Sequence, residues 1–218
     1  KILYACGSSL TSATSMCSMA GLDGYSTILG TAQDTTRTIP SDLFAANTKL
    51  QNISGFFDIT GYTTIPGDLF DPCGASLTNC SNTFGRMSSL TTVGASLLHN
   101  KPKLTTVATM FASDGNLTNY INENPNIFVG SYNITSTKQM FNGCTNLAVS
   151  EEFGLGEMMD PLINLTDASF MFCGCANNFN CEIPDGFLSK NTRLVKINGM
   201  FQNCSKLPKL PTSLFKKQ

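Results

Sequence analysis

The sequence predicts a repeat solenoid: a right-handed stack of 27–31-residue coils with short parallel β-strands, mostly β and loop with little helix. Three observations predict it. A Met-Phe string recurs, as Met110-Phe111, Met140-Phe141, Met171-Phe172 and Met200-Phe201, with Phe56-Phe57 and Thr83-Phe84 as degenerate copies. Other apolar residues fall into register with it. Gly, Pro or Asn stands near every bend, where it stops a helix from growing.

The anchors Phe57, Phe84, Phe111, Phe141, Phe172 and Phe201 are separated by 27, 27, 30, 31 and 29 residues. Seven positions earlier stand Leu50, Leu77, Leu104, Ile134, Leu165 and Leu194; four earlier, Ile53, Cys80, Val107, Thr137, Ala168 and Ile197. Three positions later come Cys144, Cys175 and Cys204, and six later Leu90, Leu117, Leu147 and Leu207. An apolar-Pro pair follows, as in Ile65-Pro66, Ile183-Pro184 and Leu210-Pro211, and then Leu-Phe or a similar pair closes the unit. Spacing by three is neither strand alternation nor a long helix, and it suits a coil that turns corners. One such unit cannot close a core, so neighbours must bury each other's apolar faces. The extra residues of the longer coils, 120–133 and 151–163, are read as loops beside the stack. The chain is one domain, with clear repeats over 39–218 and degenerate coils over 1–38. In the degenerate part, Tyr4, Cys6 and Leu10 are matched to the M-F-x-x-C-x-x-L positions, and Tyr25 and Ile28 to L-x-x-I. No capping unit is evident, so the chain is expected to be a segment of a longer one, or to have its ends covered by self-association or a partner.

Composition narrows function. Charged residues are 13% of the chain, the net charge is -1, and nothing forms the basic field that nucleic acid requires. Asn, Ser and Thr make up 66 of 218 residues and take the surface instead. No apolar run is long enough to insert into a membrane, and no signal-peptide pattern is present. There is one histidine, His99, which limits the enzymes available.

The string M-F-x-x-C-x-x-L-x-x-I-P with L-x-x-I upstream resembles the leucine-rich repeats of BspA-like and related bacterial surface lipoproteins. The likeness is clearest at 140–147, 171–175 and 194–211. It departs in its longer coils and in the missing Cys of the middle coils. The resemblance implies a leucine-rich-repeat-like, non-enzymatic recognition or adhesion module, extracellular or at the cell surface, with a protein or glycan partner. The alternative function is a structural component of a phage virion: a fibre, tail or head-decoration protein.

The candidate chemistry is sparse, and no catalytic, cofactor or metal site is assigned. The nine cysteines are an odd number. Cys144, Cys175 and Cys204 share one repeat position and are expected to form a buried ladder; a disulfide between neighbouring rungs is the other possibility. Cys173, Cys175 and Cys181 do not have zinc-site spacing. His99, the acidic group Glu151, Glu152, Glu157 and Asp160, and the basic end Lys206, Lys209, Lys216 and Lys217 read as solvated loops. Six N-x-[ST] sequons, at Asn52, Asn79, Asn116, Asn133, Asn164 and Asn203, barely exceed chance. The ligand surface is expected where outward residues follow the repeat's Leu: Thr63, Thr64, Thr91, Thr92, Thr118, Asn119 and Lys209. Thr also suits strands for its own sake.

Overall fold

The anchor phenylalanines form a column. Their rings stack face to face, 5.5 Å between Phe57 and Phe84, 5.7 Å to Phe111, 5.7 Å to Phe141, 5.8 Å to Phe172 and 5.7 Å to Phe201, with planes 5–11° apart. All but Phe201 are fully buried. The computed structural model describes residues 2–18, 37–118, 120, 126–149, 155–179, 182–212 and 214.

Around this column the chain runs mostly in turns. Among the described residues regular elements are few: α1 (Ile2–Cys6), a 3-10 turn (Gly7–Ser9), β1 (Thr64–Ile65), β2 (Thr92–Val93) and α2 (Leu155–Met159). β1 and β2 pair in parallel, Thr64 opposite Thr92 and Ile65 opposite Val93. A longer rail of single parallel bridges runs Ser12–Asn52–Asn79–Thr106–Ser136–Asp167–Lys196, one bridge per coil. Two further single bridges join Thr38 to Thr64, ahead of β1, and Val149 to Phe179.

The M-F segments explain why strands stay so short. Alternate N–H groups point along the stack: Val107, Thr109, Phe111 and Ser113 donate to Ser136, Lys138, Met140 and Asn142 of the next coil at 2.7–3.1 Å. The N–H groups between them turn back within the coil, Met110 to Val107, Ala112 to Thr109 and Asp114 to Phe111. The segment is thus a chain of β-turns whose backbone is satisfied half locally and half by its neighbour. That geometry puts the residues two before and two after the anchor at positive φ in coil after coil: Asn82 and Arg86, Thr109 and Ser113, Gln139 and Gly143, Phe170 and Gly174. A non-glycine residue there costs about 1 kcal/mol or more, offset by the bonds between coils.

Packing follows from the repeat. Leu50, Leu77, Leu104, Ile134 and Leu165 are completely buried, as are Ile53, Cys80, Val107 and Ala168. The last coil, with Leu194, Ile197 and Phe201 only partly covered, is looser. The N-terminal coil takes a register other than the one expected. Ser12 bridges Asn52, and Ala13, Ser15 and Cys17 donate to Asn52, Ser54 and Phe56. Leu10, Ala13, Met16 and Cys17 therefore occupy the places of Leu50, Ile53, Phe56 and Phe57, while residues 2–6 form α1. The short side chain of Cys17 in the anchor place hid the match. Tyr25 and Ile28 lie outside the described residues.

Candidate interaction surface

The outward positions next to the bridge rail are built by the repeat itself. After the Leu or Ile seven before each anchor comes Gln51, Thr78, Thr105, Thr135, Thr166 or Val195. Thr78 Oγ1 donates to the Gln51 carbonyl at 3.0 Å, Thr105 to Thr78 at 2.9 Å, Thr135 to Thr105 at 3.1 Å and Thr166 to Thr135 at 3.0 Å. Each hydroxyl proton is consumed by the preceding coil, so the oxygens offer lone pairs outward. Thr105 and Thr135 are exposed; Thr78 and Thr166 are half-buried.

One residue further on, the bridging position is polar for a local reason. Asn52 Oδ1 accepts from the Ser54 N–H at 3.0 Å, Asn79 Oδ1 from Ser81 at 2.9 Å, Thr106 Oγ1 from Ala108 at 3.2 Å, and Asp167 Oδ1 from Ser169 at 2.9 Å. These side chains start the turn that leads into the anchor. Two of the six sequons are thereby accounted for, since N-x-S is also the spacing of this turn. At Asn116, Asn133 and Asn164 the amide nitrogen already donates to Ser88, Pro102 and Tyr132 of the coil before, at 2.6, 2.7 and 3.0 Å.

The expected row divides. Thr63, Thr64, Thr91 and Thr92 come together across β1 and β2. Thr91 donates through N and Oγ1 to the Thr63 carbonyl at 3.0 and 3.2 Å, and Thr91 and Thr92 hydroxyls lie 3.4 Å apart. Thr118 carries on only towards Ala148, whose N–H it accepts at 2.8 Å. Among the described residues no backbone bond joins Thr118 to Thr91 or Thr92. Lys209 is exposed and pairs with Glu182 at 3.4 Å, and Asn119 lies outside the described residues. The Thr78–Thr166 row, not singled out beforehand, spans more coils without a break. Its signal was available as Thr directly after the Leu or Ile seven before the anchor.

The remaining candidates stand as follows. Cys144, Cys175 and Cys204 are buried thiols. Each donates to the anchor carbonyl of the coil before, Phe111, Phe141 and Phe172, at 2.9, 3.3 and 3.0 Å. Burial pushes the Cys144 and Cys175 thiols well up, Cys17 up to about 11 and Cys73 up to about 12. Cys181, Glu151, Glu152, Lys216 and Lys217 lie outside the described residues. Asp160 pairs with Lys190, and Glu157 is exposed on α2. Among the described residues no group of three His, Cys, Asp or Glu could hold a metal ion. No helix among them is long and apolar enough to cross a membrane.

One buried cation escaped sequence reading. Lys101 is 2% exposed, and its Nζ donates to Asp71 at 3.0 Å and to the His99 carbonyl at 2.7 Å. Its stem fills the space beside Gly74, where a Cβ would come within 2.9 Å of Lys101 Cδ. The two occupy one repeat position in successive coils, and Gly next to Lys there was the available sign.

No family model matches the chain, and no curated protein matches it.

Proposed function

We propose that the chain is a right-handed, leucine-rich-repeat-like solenoid of the kind it resembles, and that it acts as a non-enzymatic recognition or adhesion module outside the cell. The observation that carries this reading is the row Thr78, Thr105, Thr135, Thr166. It is uncharged, regular from coil to coil, and held in place by the coils behind it. A ladder of fixed acceptor oxygens at about 4.8 Å per coil suits hydroxyl or amide donors of a glycan or an extended peptide. Rigid side chains lose little entropy on binding, and many modest hydrogen bonds then sum to useful affinity. The buried thiols, held protonated, are compatible with an oxidising exterior, because the thiolate is the form that reacts.

The test is binding of the labelled chain to a glycan panel and to immobilised cell-surface and matrix proteins. A variant carrying Thr105→Lys, Thr135→Lys and Thr166→Lys, checked for retained folding by circular dichroism, serves as the comparison. Binding to one panel that drops at least tenfold in the variant supports the proposal. Binding that the triple variant leaves unchanged, or no binding to either panel, counts against it.

A further inference from the structure

The place three residues after the anchor forms a column: Thr60, Met87, Asp114, Cys144, Cys175 and Cys204. Asp114 sits in it completely buried, between Met87 of the coil before and Cys144 of the coil after. In five coils the N–H at this place returns to the carbonyl of its own anchor: Thr60 to Phe57, Asp114 to Phe111, Cys144 to Phe141, Cys175 to Phe172 and Cys204 to Phe201. Met87 breaks the pattern. Its N–H goes instead to Asp114 Oδ1 at 2.7 Å.

This diversion leaves two acceptors without donors among the described residues, the Phe84 carbonyl and Asp114 Oδ2. In the following coils the group at Asp114's place hands a proton to the corresponding carbonyl, as Cys144 does to Phe111. A single proton on Oδ2 would satisfy both atoms in the same way. We infer that Asp114 stands as a neutral carboxylic acid, donating to the Phe84 carbonyl where its neighbours use a thiol, and that this proton makes the stack lose stability as the medium turns alkaline.

The groups that face it fit. From the coil after comes the Cys144 thiol, itself protonated because burial raises it. From the coils before come Asp58 and Arg86, which form an ion pair with each other and so leave no cation for Asp114. Burial raises the Asp114 carboxyl well above its ordinary range; the Met87 N–H pulls it down and Asp58 adds to the rise. An ionised Asp114 would keep a charge in the apolar spine with one oxygen unpaired, a costly state.

The sign follows from linkage. The folded chain holds this proton at pH values where the unfolded chain has released it. The stabilisation is complete below the ordinary carboxyl range, near 3.9, and is lost as pH rises through the folded value. Asp114→Asn keeps an acceptor for Met87 and a permanent donor for Phe84. Asp114→Cys installs the residue of the next three coils.

The experiment is urea unfolding of the wild type and both variants from pH 4 to 9, with infrared difference spectra of wild type against Asp114→Asn at neutral pH. The variant-to-wild-type ratio of folding constants should climb with pH, by up to tenfold per unit within the window. The spectra should contain the carbonyl stretch of a protonated acid, absent from the variant. A ratio independent of pH, or a carboxylate band alone, overturns the inference. So does failure of both variants to fold at every pH, because a neutral donor-acceptor side chain must then be insufficient.

Discussion

The residues that carry the spine do so through a ring in each coil and, at Cys144, Cys175 and Cys204, a proton. The ring is legible in the sequence, because Phe recurs at a spacing that can be counted. The proton is not. Cys144, Cys175 and Cys204 were recognisable as a ladder, but nothing in their spacing tells that each thiol bonds the anchor carbonyl of the coil before. Asp114 was invisible as a member of the ladder, because a carboxyl among thiols breaks the pattern of residue types while keeping the pattern of position. No disulfide joins neighbouring rungs among the described cysteines. Burial and the raised thiols make a prediction at this scale. Alkylation of the native protein at pH 8, read by peptide mass spectrometry, should modify exposed Cys6 first and half-buried Cys173 next. Cys73, Cys80, Cys144 and Cys175 should react only after unfolding. Rapid native labelling of Cys144 would contradict the buried ladder.

At the scale of the element, the turn governs more than the strand. Expectation placed short strands between bends. The described residues contain two strands of two residues and otherwise single bridges. The reason is the alternation of N–H groups between the next coil and the same coil, which a strand cannot make. Sequence reading missed it because αL residues such as Thr109, Gln139 and Phe170 carry no signature; at these places glycines alone advertise the conformation, as Gly55, Gly143, Gly174 and Gly199 do. The same blindness kept a second Thr row from view. Thr63 and Thr91 drew attention as a Thr-Thr pair, whereas the longer Thr78–Thr166 row is divided among coils with one Thr each. Where β1 and β2 end, Gly94 backs onto Gly67: a Cβ on Gly94 would come within 2.2 Å of the Gly67 nitrogen and 2.5 Å of its Cα. Gly94→Ala must push these coils apart. We expect a loss of about 1–3 kcal/mol in urea unfolding, larger than for Ala substituted at exposed Ser88. Equal stability of Gly94→Ala and wild type would show that the two backbones do not approach.

At the scale of the whole molecule, the coils bond each other in both directions. From Ala13 to Ala168 the turns that lead into the anchors give N–H groups to the coil that follows, whereas Thr78, Thr105, Thr135 and Thr166 give theirs to the coil before. The repeat period was legible because buried apolar side chains must recur when one coil covers the next. The register of the first coil was not, because Cys17 replaces the aromatic anchor. Everything proposed about binding depends on this common axis, since the Thr row exists only if successive coils superpose. The most direct measurement is a nuclear Overhauser spectrum of protein with isotope-labelled phenylalanine. Superposed coils predict ring-to-ring cross-peaks linking Phe84 to Phe111, Phe111 to Phe141 and Phe141 to Phe172, with those of Phe141 lost in Phe141→Leu. A folded protein lacking these cross-peaks would contradict the stacked spine.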